Sequence, residues 1–81
     1  MADRILLVDD DRDHCEMLQS TLRGFGHDVT FTTSAHDALE QVGREGFAAV
    51  LTDLGMAEMG GLELCTRIIG TRPDAPVIVV T

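Results

Sequence analysis

Four aspartates carry the chemistry available to this chain. Asp9, Asp10 and Asp11 stand together after the apolar run Ile5-Leu6-Leu7-Val8, and Asp53 closes the run from Phe47 to Thr52. A short apolar run with turn signals on both sides fits a buried strand. In open α/β sheets ligands bind beyond the carboxyl ends of parallel strands, so an acid placed directly after such a run stands where chemistry happens. If the two runs are parallel neighbours, Asp9, Asp10 and Asp53 leave the same end of the sheet close together. Carboxylates so placed repel one another, and either one stays protonated or a cation neutralises them. An oxygen-only site that retains several waters suits Mg²⁺. A cation-screened aspartate can in turn act as nucleophile towards a phosphoryl group. The plainer reading is that Asp9 to Asp11 cap the following helix and that Asp53 ends a strand in a turn. One cap needs one acid, and three in succession favour metal binding.

The elements that must position these acids follow from the patterning. Residues 4 to 8 read as a first strand, and Cys15, Leu18, Leu22 and Phe25 recur at helical spacing, with one of the preceding aspartates as N-cap. Gly24 and Gly26 supply a stop and a turn, after which Asp28 to Thr32 alternates as a half-buried strand at a sheet edge. Ser34 and Asp37 resemble a capping box opening a second helix, whose apolar positions are Ala35, Ala38, Leu39 and Val42. The strand ending at Asp53 comes next. Leu62, Leu64, Cys65, Ile68 and Ile69 mark a third helix closed by Gly70, and Val77 to Thr81 reads as a fourth buried strand. The order β-α-β-α-β-α-β predicts a parallel sheet with helices on its faces.

With 81 residues, the chain is expected to form one domain, and its longest apolar stretch falls well short of a membrane span. A formal net charge of -8, with arginine as the sole cationic residue type apart from histidine, opposes direct binding to nucleic acid or anionic membranes. The N-terminus carries no export signature, so a soluble, cytoplasmic protein is expected. Cys15 and Cys65 lack the spacing of a redox or zinc pair and are expected to be reduced packing residues. His14, His27 and His36 are expected at solvent-facing positions without a role. Met56 and Met59 are expected to pack the loop after Asp53.

Three segments together resemble the receiver domain of two-component response regulators. They are Ile5 to Asp11, then Leu51-Thr52-Asp53-Leu54-Gly55-Met56 with Met59-Gly60-Gly61-Leu62, and finally Pro76 to Thr81. The resemblance implies a flavodoxin-like α/β fold with strand order 2-1-3-4 for the four strands present. It covers residues 1 to 81 as a single partial receiver, without counterparts of the family's fourth helix, fifth strand and fifth helix. It implies Asp53 as phosphoacceptor for a sensor histidine kinase, Asp10 as a direct Mg²⁺ ligand, Asp9 as a water-mediated partner and Gly55 as a backbone-carbonyl ligand. Thr81 matches the switch hydroxyl. The family's fifth-strand lysine cannot come from a chain without lysine, and Ala57 and Gly60 replace the usual proline and Asp or Asn.

A second class of function is a phosphorylation-incompetent, receiver-like interaction domain that forms a homodimer by strand addition through residues 77 to 81. A haloacid-dehalogenase-type phosphatase would want a second acid where Gly55 stands. A nicotinamide-binding fold would want a glycine-rich turn where Asp9 to Asp11 stand.

Overall fold

The structure is a computed structural model that describes residues 4–53, 59–74 and 76–80. Four parallel strands form one sheet in the order β2-β1-β3-β4. In chain order the elements are β1 (Arg4–Val8), α1 (Arg12–Gly24), β2 (Asp28–Thr32), α2 (Ala35–Arg44), β3 (Ala49–Asp53), α3 (Gly61–Thr71) and β4 (Val77–Val80). This is the parallel sheet that the patterning predicted, with β2 at an edge, in the flavodoxin-like strand order that the family resemblance implied.

Alternation along the strands sorts the core into two layers. Leu6, Val8 and Val50 pack with Ala35, Ala38 and Val42 of α2 and with Leu64 and Ile68 of α3. On the other face Leu7 and Val29 pack with Cys15, joined by Ile5, Leu18, Leu22, Phe31 and Leu51. Helices α1 and α2 start where side chains can satisfy their first N–H groups, whereas α3 follows Gly60 without a side-chain cap. Asp11 caps α1 by accepting from the His14 N–H at 3.2 Å. Ser34 caps α2 by accepting from the Asp37 N–H at 3.3 Å. After α1 the chain reverses through Gly26, whose φ of 92° lies in the left-handed region that glycine enters without a Cβ penalty.

Several local expectations are corrected. Phe25 is 78% exposed, because α1 ends at Gly24 and the cap turn rotates the next side chain off the apolar face. In α3, Leu64 and Ile68, four residues apart, face the sheet, while Leu62 and Ile69 lie on the outer side and are exposed. Gly70 lies inside α3 and does not close it; the helix ends at Thr71, just before Pro73. Strand β3 begins at Ala49 and not at Phe47, although the Ala48 N–H already donates to the Arg4 carbonyl at 2.7 Å. Cys65 is half-buried, in contrast to the enclosed Cys15. Met59 packs in the core, as expected of a loop anchor, while Met56 lies outside the described residues.

Candidate functional site

The register of β1 against β3 brings the acids together. Val8 is paired with Thr52 across the two parallel strands, so the next residues, Asp9 and Asp53, leave the sheet side by side. Both follow the alternation of Leu7 and Leu51 and emerge on the α1 face. Asp10 follows in the short turn before α1. Each of Asp9, Asp10 and Asp53 offers an oxygen within 4.8 Å of the others'. The three differ in access: Asp9 is buried, Asp53 is half-buried and Asp10 is exposed.

Asp9 is held from four directions. Its Oδ1 accepts the Asp11 N–H at 3.0 Å, and its Oδ2 lies 2.5 Å from His14 Nδ1. Its own N–H donates to the Thr32 carbonyl at 3.2 Å, and its carbonyl accepts from Cys15 Sγ at 3.3 Å. A buried charge needs this density of donors, since each unpaired polar group in the interior costs about 1–3 kcal/mol. Asp11, by contrast, spends its side chain on the α1 cap. The run of three acids therefore divides into one cap and two members of the cluster.

His14 is half-buried and contacts Asp9, where a solvent-facing position was expected. It stands on the first turn of α1 and reaches back to the strand end, five residues away in sequence. The available signal was positional: a polar side chain three residues into a capped helix faces back over the preceding turn. Cys15 sits beside it, fully enclosed, and burial pushes its thiol up to about 11, with the nearby charge of Asp9 adding to the rise. It is therefore a protonated packing residue at neutral pH.

Below the acids lies a cavity of about 180 Å³ walled by Leu7, Leu18, Leu22 and Leu51, with Asp9, His14 and Asp53 at its rim. Its apolar walls place the inner side of the cluster against a low-dielectric surface, where charge interactions strengthen. Three carboxylate oxygens within 4.8 Å of one another form the hard, all-oxygen donor set that Mg²⁺ takes. The residues present therefore fit such an ion. Gly55 and Thr81, the other two site positions expected from sequence, lie outside the described residues.

A family model for the response regulator receiver domain matches residues 5–81. The transcriptional regulatory protein ZraR of Salmonella typhimurium is 46% identical over 77 residues, which are 95% of this chain and 18% of that protein. Among solved structures, a CheY-like receiver domain protein from Methanospirillum hungatei superposes with a TM-score of 0.95 at 31% identity, covering 100% of this chain and 65% of that one. The Thermotoga maritima response regulator TrrA, solved in complex with Mg²⁺-BeF, gives 0.90 at 28% identity, with 95% and 67% covered. The chain thus spans under a fifth of the length of ZraR and somewhat less than two thirds of the archaeal receiver protein. Among the described residues, no helix is long and apolar enough to cross a membrane.

Proposed function

Because the chain belongs to the response regulator receiver family, we propose that Asp53 accepts a phosphoryl group from a sensor histidine kinase, with Mg²⁺ bound by the aspartate cluster. The observation that carries this reading is the convergence of Asp9, Asp10 and Asp53, within 4.8 Å, at the carboxyl ends of two adjacent parallel strands. Asp53 is the nucleophile because it is anchored at the end of β3 yet remains half-exposed, so a donor can approach its carboxylate. Asp10 would hold the ion directly, and Asp9, buried and already hydrogen-bonded, would act on it through water. Bound there, Mg²⁺ would offset charge on both the carboxylate and the incoming phosphoryl group.

An Asp53 oxygen attacks phosphorus, the bond from phosphorus to the donor nitrogen breaks with its electron pair left on the imidazole, and an acyl phosphate forms. Gly55 would add a backbone carbonyl to the ion, and Thr81 would supply the hydroxyl that turns towards the phosphoryl group. On this reading residues 1–81 act as one receiver module that takes part in its own phosphorylation and does not turn over substrate. It works in the cytoplasm through protein partners and without direct contact to nucleic acid or membrane.

The test is incubation with Mg²⁺ and acetyl phosphate, followed by mass spectrometry. A gain of one phosphoryl group that is lost in Asp53→Ala and suppressed by chelator is the expected result. No gain, or a gain that survives Asp53→Ala, overturns the reading. A failed reaction would leave the interaction domain that pairs through residues 77–81, which light scattering across the micromolar range would reveal as a concentration-dependent dimer.

A further inference from the structure

The side chain that sequence reasoning passed over is the one in direct contact with the buried acid. We infer that His14 is a positioning residue that sets how Asp9 faces the cation, an inference that rests on the cation reading above.

The Asp9 side chain is only 4% exposed, whereas that of His14 is 41% exposed. An ionised carboxylate has acceptors only, so the hydrogen in the 2.5 Å contact sits on His14 Nδ1. The other oxygen takes the Asp11 N–H at 3.0 Å. Two donors on two oxygens fix the plane of the carboxylate, and with it the directions of the lone pairs left for the ion or its waters. The Asp11 N–H belongs to the backbone and is set by the turn into α1. His14 is therefore the side-chain half of the clamp, and the half that substitution can remove. Partners of this kind around metal-binding carboxylates typically change metal affinity 10–100-fold when lost.

A positioning role has a signature that a merely structural one lacks. Mg²⁺ demands near-ideal octahedral geometry, whereas Ca²⁺ accepts six to eight oxygens in flexible arrangements. Loosening Asp9 therefore weakens Mg²⁺ more than Ca²⁺. Asparagine offers a donor nitrogen near the place of imidazole Nδ1, so His14→Asn keeps the clamp and His14→Leu removes it.

The experiment is calorimetric titration of the full chain with Mg²⁺ and with Ca²⁺ at one fixed pH, for the wild type, His14→Leu, His14→Asn and Asp10→Asn, with thermal unfolding in chelator to confirm folding. His14→Leu is expected to lose about tenfold in Mg²⁺ affinity and distinctly less for Ca²⁺, and His14→Asn to restore most of both. Equal affinities in wild type and His14→Leu, tighter binding in His14→Leu, or equal losses in His14→Leu and His14→Asn would each overturn the inference. Should His14→Leu fail to fold, the inference is decided by His14→Asn alone: wild-type affinity supports it, and a tenfold loss of Mg²⁺ affinity in the folded variant overturns it. Absence of Mg²⁺ binding in the wild type, or binding unaffected by Asp10→Asn, overturns the cation reading itself, which keeps the two failures apart.

Discussion

Replacing Asp53 by asparagine should stabilise the protein in chelator and destabilise it, relative to wild type, in Mg²⁺. The side chains are nearly isosteric, so the change removes one charge from a cluster whose oxygens lie within 4.8 Å. At that distance two unit charges repel by about 0.9 kcal/mol in bulk water and by about 3.5 kcal/mol at an effective dielectric of 20. Asp53 faces two such partners. Asp10 is exposed, so its share belongs near the lower figure, and salt at physiological strength screens it further. Asp9 is buried, and its share lies higher, although its two hydrogen-bond donors already disperse part of its charge. A net gain of about 1–2 kcal/mol in chelator follows, which for a domain of this size raises Tm by roughly 5–10 °C.

Adding Mg²⁺ reverses the order. A ligand at a hundred times its Kd stabilises the native state by about 2.7 kcal/mol, and the variant, one carboxylate short, receives much less of this. Differential scanning calorimetry of both proteins, with chelator and with millimolar Mg²⁺, should therefore show the two Tm values crossing. A variant less stable than wild type in chelator would refute the reasoning, since it would mean that Asp53 is held by attraction and not frustrated by its neighbours. Parallel Mg²⁺ shifts in both proteins would place the ion elsewhere.

Two further outcomes follow from groups outside the cluster. Burial raises the Cys15 thiol from 9.0 to about 11, so its contribution to stability is complete below pH 9 and is lost as pH rises towards 11. The stability gap between wild type and Cys15→Ala in denaturant titrations should accordingly be constant between pH 6 and 8 and narrow between pH 9 and 11; a gap that stays constant up to pH 11 would contradict the assignment. At the opposite end of the sheet, Arg4 pairs with Glu45 at 2.6 Å and lies 5.0 Å above the Phe47 ring. Arg4→Met, which keeps much of the aliphatic stem, should cost about 1 kcal/mol at low salt and less at high salt, as measured by urea unfolding at the two ionic strengths.

The fold was legible because each strand carries its own punctuation. The runs at 4–8, between Asp3 and Asp9, and at 28–32, shortly after Gly26, match the observed strands, and the run expected at 77–81 after Pro76 is observed over Val77–Val80, with Thr81 outside the described residues. At β3 the apolar letters run on through Phe47 and Ala48, and only the hydrogen-bond ladder shows where pairing becomes regular. Helix faces were harder. Leu62 and Ile69 have the letters of a core face, but α3 is rotated so that Leu64 and Ile68 meet the sheet, and a pattern apolar on both sides cannot reveal that rotation. His14 was missed for a different reason. Its partner lies back across a strand-to-helix turn, and neither helical nor strand periodicity connects positions 9 and 14. What joins them is the cap at Asp11, which turns the chain sharply enough for the first helical turn to overlie the strand end.

The same turn accounts for the graded exposure of the three acids, and that gradation constrains how the site can work. A cluster of equally buried carboxylates would repel without relief, and a cluster of equally exposed ones would be screened by water and hold an ion weakly. Here Asp9 lies under α1 with a hydrogen-bond partner on each carboxylate oxygen. Asp10, one residue later, is exposed to solvent. Asp53 is half-buried, and α3 starts at Gly61, eight residues after it, whereas α1 starts at Arg12, three residues after Asp9. The acid at the end of β3 is thus more open than its neighbour at the end of β1. A nucleophile needs that access and an ion-orienting group does not, which is the physical ground for assigning acceptance of the phosphoryl group to Asp53 and not to Asp9.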